Sequence, residues 1–254
     1  MAMDLGTQGP QRANPDDYLF SKGHAWFAFA MTVALMLVDY IDRQVIVSLF
    51  PHLKQEWGLS DKQLGGLVSI VSVTVALGAL PIALWADRTS RVKSIFCMAT
   101  AWSVACISCM FTRNYGQLLL ARGVVGVGEA GYGSVGAALL TSHFPQRMRS
   151  TLMGAFFAAS SFGSVAGVML GGLIAADFGW RAAFGVVGVP GLVLALLYIF
   201  VRDYPTVKLS PRLDQATQSV GNSTRAIAAA LTRSPSLLWV CLGPPAEVAL
   251  MAAV

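Results

Sequence analysis

Apolar residues recur along this chain in runs of about 20, the length a helix needs to cross a hydrocarbon core of about 30 Å, and short polar turns separate the runs. Six membrane helices are predicted. The first runs from about His24 to Phe50, is apolar from Trp26 to Val38, and should end at Pro51. After the loop PHLKQEWGL, Ser60 and Gln63 form an S-x-x-Q capping box, which predicts a second helix reaching Trp85. The third span is Val92 to Phe111, the fourth Gln117 to about Phe144, the fifth Ser150 to about Ala176, and the sixth Ala182 to Val201, kinked at Pro190. The organisation expected is a polar tail over 1–23, a six-span bundle over 24–201 and a polar central loop over 202–235, where Thr224 to Leu231 could form a short surface helix. Residues 236–254 open a seventh span that Gly243, Pro244, Pro245 and Glu247 interrupt, leaving a truncated start.

Composition agrees with this pattern. The chain has 254 residues, 55% hydrophobic and only 12% charged, where a soluble domain carries about 25% charged residues. The net charge of +5 does not indicate nucleic-acid binding, because the basic residues fall in short loops between apolar runs. The N-terminal tail and alternate loops collect twelve basic residues, Arg12, Lys22, Arg88, Arg91, Lys93, Arg147, Arg149, Arg202, Lys208, Arg212, Arg225 and Arg233, and the other loops only four, Lys54, Lys62, Arg113 and Arg181. That bias puts the N-terminus in the cytoplasm, in a multi-pass protein expected in a bacterial inner membrane. The N-terminus lacks the apolar core of a signal peptide. Cys106 and Cys109 make a C-x-x-C inside the third apolar run, with no second pair or histidine nearby, and read as packing residues. His24, His52 and His143 fall near membrane borders and read as interfacial, so no metal site, catalytic residue or enzyme activity is expected.

The informative residues are the charges within the spans. Ala121 to Gly133, ARGVVGVGEAGYG, places Arg122 and Glu129 seven residues apart, close to two helical turns and so on one face. A charge at bilayer depth costs at least about 2.5 kcal/mol and should look onto a partner or a watery cavity. Gly126, Gly128 and Gly131 spell G-x-G-x-x-G, but they are expected mid-helix with no preceding strand, so they read as small residues admitting a neighbouring helix rather than as a dinucleotide site. In span one, Asp39 and Arg43 are spaced i,i+4 in the favourable order. Asp42 stands outside that pair and is the better candidate for taking up a proton. At about 1.5 Å per residue, Asp42 and Arg122 lie about 12 and 8 Å from one membrane face, Asp39 and Glu129 about 16 and 18 Å. The charges of spans one and four therefore share one slab, where a titratable network is expected if the two helices face one cavity.

With those residues in view, the chain resembles the N-terminal half of a major facilitator superfamily transporter. ALWADRTSRVK is similar to the superfamily loop motif G-x-L-A-D-R-x-G-R-K through Asp87, Arg88 and Arg91, with Ala83, Ser90 and Val92 departing from it. Span four resembles R-x-x-x-G-x-G through Arg122, Gly126 and Gly128. Span five resembles the antiporter-associated pattern G-x8-G-x3-G-P-x2-G-G at Gly154, Gly163, Gly167, Gly171 and Gly172, with Val168 in place of the proline. DYIDRQVI, RGVVGVGEAGY and GWRAAF resemble the spinster-like family, and an anion:cation symporter family has similar span-one and span-four segments.

The resemblance implies an all-α membrane protein: a six-helix N-terminal bundle of two inverted three-helix repeats, truncated early in the seventh span. It implies a proton-coupled secondary transporter for an amphipathic or organic anion, lysolipid-like in the spinster case. Asp42 and Glu129 would be the proton-coupling acids, with Asp39, Arg43 and Arg122 as ion-pair and substrate contacts. Asp87, Arg88 and Arg91 would form a cytoplasmic gate, and the seven glycines from Gly126 to Gly172 named in these motifs would pack helices. The partners implied are the lipid bilayer, a small-molecule or lipid-like anionic substrate and a missing C-terminal half, with no nucleic acid and no cofactor beyond a proton gradient. Two alternatives stand beside this reading. They are an organic-anion symporter of the anion:cation type, and a non-transporting partner subunit or decayed gene product.

Overall fold

The computed structural model describes residues 18–203. The expected tail, apart from its last residues, the central loop beyond Asp203 with its surface helix, and the interrupted seventh span lie outside the described residues.

Every described element is helical, and six helical spans are long and apolar enough to cross a membrane. Span I is α1 (Lys22–Ser48). The expected stop at Pro51 is instead a restart. Proline needs no amide partner in a first helical turn, and Pro51 opens α2 (Phe50–Trp57), which Gly58 closes. The capping box forms as expected, Ser60 accepting from the Gln63 amide and Gln63 from that of Ser60, and begins α3 (Asp61–Arg88), span II. Span III is α4 (Arg91–Cys109), with Ser90 capping Lys93 N.

Span IV departs from the continuous helix expected. It is α5 (Tyr115–Glu129), capped by Asn114, followed by α6 (Tyr132–His143). The break lies at Ala130, extended, and at Gly131, whose φ of 85° is left-handed and suits a residue without a Cβ. Gly131 is therefore a joint, not a mid-helix glycine. Span V is α7 (Arg149–Phe178), and span VI is α8 (Trp180–Leu197), which continues helical through Pro190.

Span I packs chiefly on span V, span III on IV and VI, and span II on IV. Glycines set the first seam. A Cβ on Gly163 would fall 2.6 Å from the Leu37 carbonyl, on Gly167 2.6 Å from that of Ile41, and on Gly171 3.1 Å from that of Val45. Backbones thus touch where any side chain would hold them apart. Gly126 and Gly128 do the same against Val71 O (2.7 Å) and Trp102 N (2.6 Å). Gly154 and Gly172 correct the expectation: a Cβ on either meets nothing within 4 Å, so neither sits in a seam. Apolar side chains such as Leu77 and Leu80 on α3 and Phe162 and Met169 on α7 stand exposed, as suits helices surrounded by lipid or by further helices.

The α2 end is fastened by a polar clamp. Glu56 accepts from the Trp180 indole and, at 2.8 Å, from Arg181 Nη1, while Arg181 Nη2 reaches Thr112 O at 3.4 Å. The Arg181 guanidinium lies 4.3 Å from the Trp180 ring centroid and 5.8 Å from that of Trp57. These contacts join α2, the III–IV turn and the start of span VI. The indole hydrogen bond above all holds the Glu56 carboxyl below its usual value; burial opposes it, and the hydrogen bond and charge of Arg181 add to the lowering. At the other end, Leu19 N donates to His143 O, and His24 Nε2 accepts from Arg202 N at 2.8 Å. His143 itself is fully buried with its ring 5.4 Å from Phe20, so it is a core residue and not the interfacial one expected.

Candidate functional site

The five charged residues expected at bilayer depth meet in one place. Asp39, Asp42 and Arg43 come from α1, about two-thirds to three-quarters of the way along it, and Arg122 and Glu129 from the buried face of α5. The close approach of α5 to α4 at Gly128 and to α3 at Gly126 seats that face inside the bundle. Four of the five are essentially inaccessible, Asp39 and Glu129 at 2% exposure and Asp42 and Arg122 at 1%, which excludes lipid-facing charges.

Two ion-pair groups result. Arg122 Nη1 donates to Asp42 Oδ1 at 3.2 Å. Arg43 keeps its local partner Asp39, at 3.4 Å, and also lies 3.0 Å from Glu129 Oε2 across the helix interface. Its side chain is 26% exposed and sits 5.3 Å from the Tyr40 ring centroid, so it is the accessible edge of the network.

This geometry changes the expectation for Asp42. It lacks a partner in sequence but has two in space, Arg122 and the thiol of Cys106, whose Sγ donates to Asp42 Oδ1 at 3.0 Å. The crowded acids are Asp39 and Glu129, which share one guanidinium. Asp39 Oδ1, Asp42 Oδ2 and Glu129 Oε1 are buried without a hydrogen-bond donor among the described residues, and Glu129 Oε2, in ion-pair range of Arg43 Nε, accepts no well-aligned hydrogen bond from it. Three carboxylates thus face two guanidiniums, and bare carboxylate oxygens are the atoms a proton would occupy.

Cys106 was missed as a site residue. The C-x-x-C spacing marked it, but only the fold shows that it points from span III at an acid of span I. A second polar cluster was also not foreseen: Tyr132 Oη donates to Thr32 O at 2.6 Å, and Thr32 Oγ1 lies 2.9 Å from Tyr198 Oη. Asp87 and Arg91 lie apart from the network, at the end of the bundle where the chain enters. Arg91 Nη2 is 3.3 Å from Asp87 Oδ1, and Nη1 reaches Ala138 O on α6 at 3.3 Å, tying the II–III turn to span IV. The side chain of Arg88 lies outside those described. No group of three or more histidine, cysteine, aspartate or glutamate side chains suited to a metal occurs among the described residues.

Six apolar spans around a largely buried ion-pair network define a multi-pass integral membrane protein. The family follows from comparison with known proteins: the Major Facilitator Superfamily model matches residues 32–253, and the chain belongs to that superfamily. It is similar to protein spinster homolog 1 of Bos taurus, 29% identical over 229 residues, covering 88% of this chain and 43% of that protein. It is also similar to the gallate transporter of Pseudomonas putida, 29% identical over 174 residues, covering 68% and 38%. Among solved structures, a bacterial homologue of the human lysosomal transporter Spinster, inward-facing and unoccupied, superposes with a TM-score of 0.70 at 28% identity, covering 74% of this chain and 45% of that one. The chain spans less than half the length of these relatives. The six-helix bundle expected of a major facilitator fold is thus the fold found.

Proposed function

We propose that the chain supplies the N-terminal bundle of a proton-coupled secondary transporter that carries an organic or amphipathic anion. The observation that carries this reading is the shared Arg43, 3.4 Å from Asp39 and 3.0 Å from Glu129. With all three acids ionised, the network holds one more negative than positive charge in a place where unpaired charge is costly. A proton on Glu129 or Asp39 removes the excess, and loosens the hold on the partly exposed Arg43. An anionic substrate reaching that edge meets a guanidinium able to pair with it, so proton and substrate binding are thermodynamically linked.

The remaining residues take roles around that exchange. Asp42 is the second proton-coupling acid, held by Arg122. Asp87, Arg88 and Arg91 form a gate at the cytoplasmic end, with the N-terminus on the same side of a bacterial inner membrane. A proton gradient is the energy source and no cofactor takes part. Alternating access needs two bundles rocking about a midplane site, so the transporting unit contains a second six-helix bundle facing this one.

The substrate class rests on the relatives, of which one is named for gallate and another is spinster. Uptake of gallate and of a lysophospholipid into proteoliposomes, each with and without an imposed pH gradient, decides between an aromatic acid and an amphiphile. The coupling is tested by Glu129→Gln in the two-bundle carrier. Proton-driven uptake should fall by about 5–150-fold, the usual size of a coupling between two sites, while substrate exchange without a gradient persists. Retention of the full pH dependence in that variant would overturn the role given to Glu129.

A further inference from the structure

Cys106 is a buried thiol with two acceptors on two different spans. Its Sγ lies 3.0 Å from Asp42 Oδ1 on span I and 3.3 Å from the Phe184 carbonyl on span VI. A thiol has one hydrogen, so it serves one of them fully at a time. The oxygen it reaches on Asp42 is also the one bound by Arg122, and the other oxygen, Oδ2, is buried without a donor among the described residues. The thiol and the guanidinium therefore fix the rotation of the carboxylate from two sides and leave Oδ2 as its bare edge.

We propose that Cys106 is a positioning residue for Asp42: its thiol holds Oδ1 toward Arg122 while the acid is ionised, and turns to the Phe184 carbonyl when the acid is neutralised. The physical reason is acceptor strength. An ionised carboxylate takes a hydrogen bond roughly twice as strong as a neutral acceptor does, so the thiol favours Asp42 in one state and loses that preference in the other. No proton passes through sulfur. The change is a rotation of the S–H bond, which exchanges a span III–span I contact for a span III–span VI contact. The other groups facing this site are Cys109 on span III, Asp39 and Arg43 on Asp42's own helix, and Arg122 and Glu129 on span IV. Cys109 makes its own bond to Ala105 O at 3.4 Å and does not replace Cys106.

The inference rests on the proton-coupled reading of Asp42, and two readouts separate its failure from the failure of that reading. The first needs no transport. The infrared S–H stretch reports what a thiol donates to, and the Cys106 band is the one lost in Cys106→Ser. In the reconstituted protein, Asp42→Asn should move that band to the frequency of a thiol bonded to a neutral acceptor; an unmoved band overturns the proposal whether or not the protein transports. The second is the pH profile of uptake. Removing the thiol in Cys106→Ala takes a donor from the ionised carboxylate, so the pH of half-maximal uptake should rise by about half to one unit. Cys106→Ser, which keeps a donor, should bring it back. Equal profiles for Ala and Ser variants overturn the positioning role. A band that moves in Asp42→Asn, with a wild-type protein that shows no proton-driven uptake, removes the carrier reading and keeps the thiol–carboxylate contact.

Discussion

Arginine meets carboxylate both in the clamp at the α2 end and in the network between spans I and IV, in opposite surroundings. Arg181 and Glu56 are 39% and 42% exposed, while Arg122 and Asp42 are each 1% exposed. Water and salt can solvate either partner of the clamp once it parts, so such a pair contributes about 0–1 kcal/mol. The buried pair has no such alternative, and removing one partner strands the other charge at a cost of about 3–5 kcal/mol. The same two side-chain types thus make a fastening in one place and a charge balance in the other. Surroundings decide which.

The sharpest way to break this contrast is Arg122→Ala, which leaves Asp42 buried beside a thiol alone. Thermal or denaturant unfolding in detergent should show a loss of about 3–5 kcal/mol; a loss under about 1 kcal/mol would put the pair in the same class as the clamp. A middle-sized effect is expected at the span I–span V seam, where no charge is involved. Gly167→Leu should destabilise by about 1–3 kcal/mol as the helices part, whereas Gly154→Leu, with open space around it, should change little in the same unfolding assay. The smallest effect belongs to the clamp: Arg181→Ala should cost less than about 1 kcal/mol, and the loss should shrink as salt is added.

The clamp also has a pH signature. The carboxyl of Glu56 sits below its usual value in the folded protein, so its contribution is complete above the unfolded value of about 4.3 and disappears as the pH falls through the lower folded value. Tryptophan emission followed from about pH 6 to about pH 2 should change as the Trp180 indole loses its acceptor. Glu56→Gln should flatten that step, and an unchanged step would assign it to another group.

Much of the architecture was legible in the chain because membrane helices carry their own instructions. Run length and the Ser60–Gln63 box concern neighbours in sequence, and the five charged residues announced themselves by being costly where they stand. Partnership was harder to read. Asp39 and Arg43 are spaced to meet, but nothing local says that Arg43 also meets Glu129, or that Asp42 is held by residues 64 and 80 positions away. The glycine pattern of span V likewise told which residues were small and not which faced span I, so Gly154 and Gly172 were grouped with three that do. Pro51 misled because proline ends a helix from inside and starts one from its first turn with the same ring.

One consequence of the break in span IV concerns direction. A straight rod has one direction from end to end, whereas the break at Gly131 lets the directions of the two arms be set separately. The arm bearing Arg122 and Glu129 ends at that joint, and the other arm begins with Tyr132, anchored to Thr32 of span I. Span IV is therefore two rods set end to end, with its electrical load on one side of the bend and its mooring on the other.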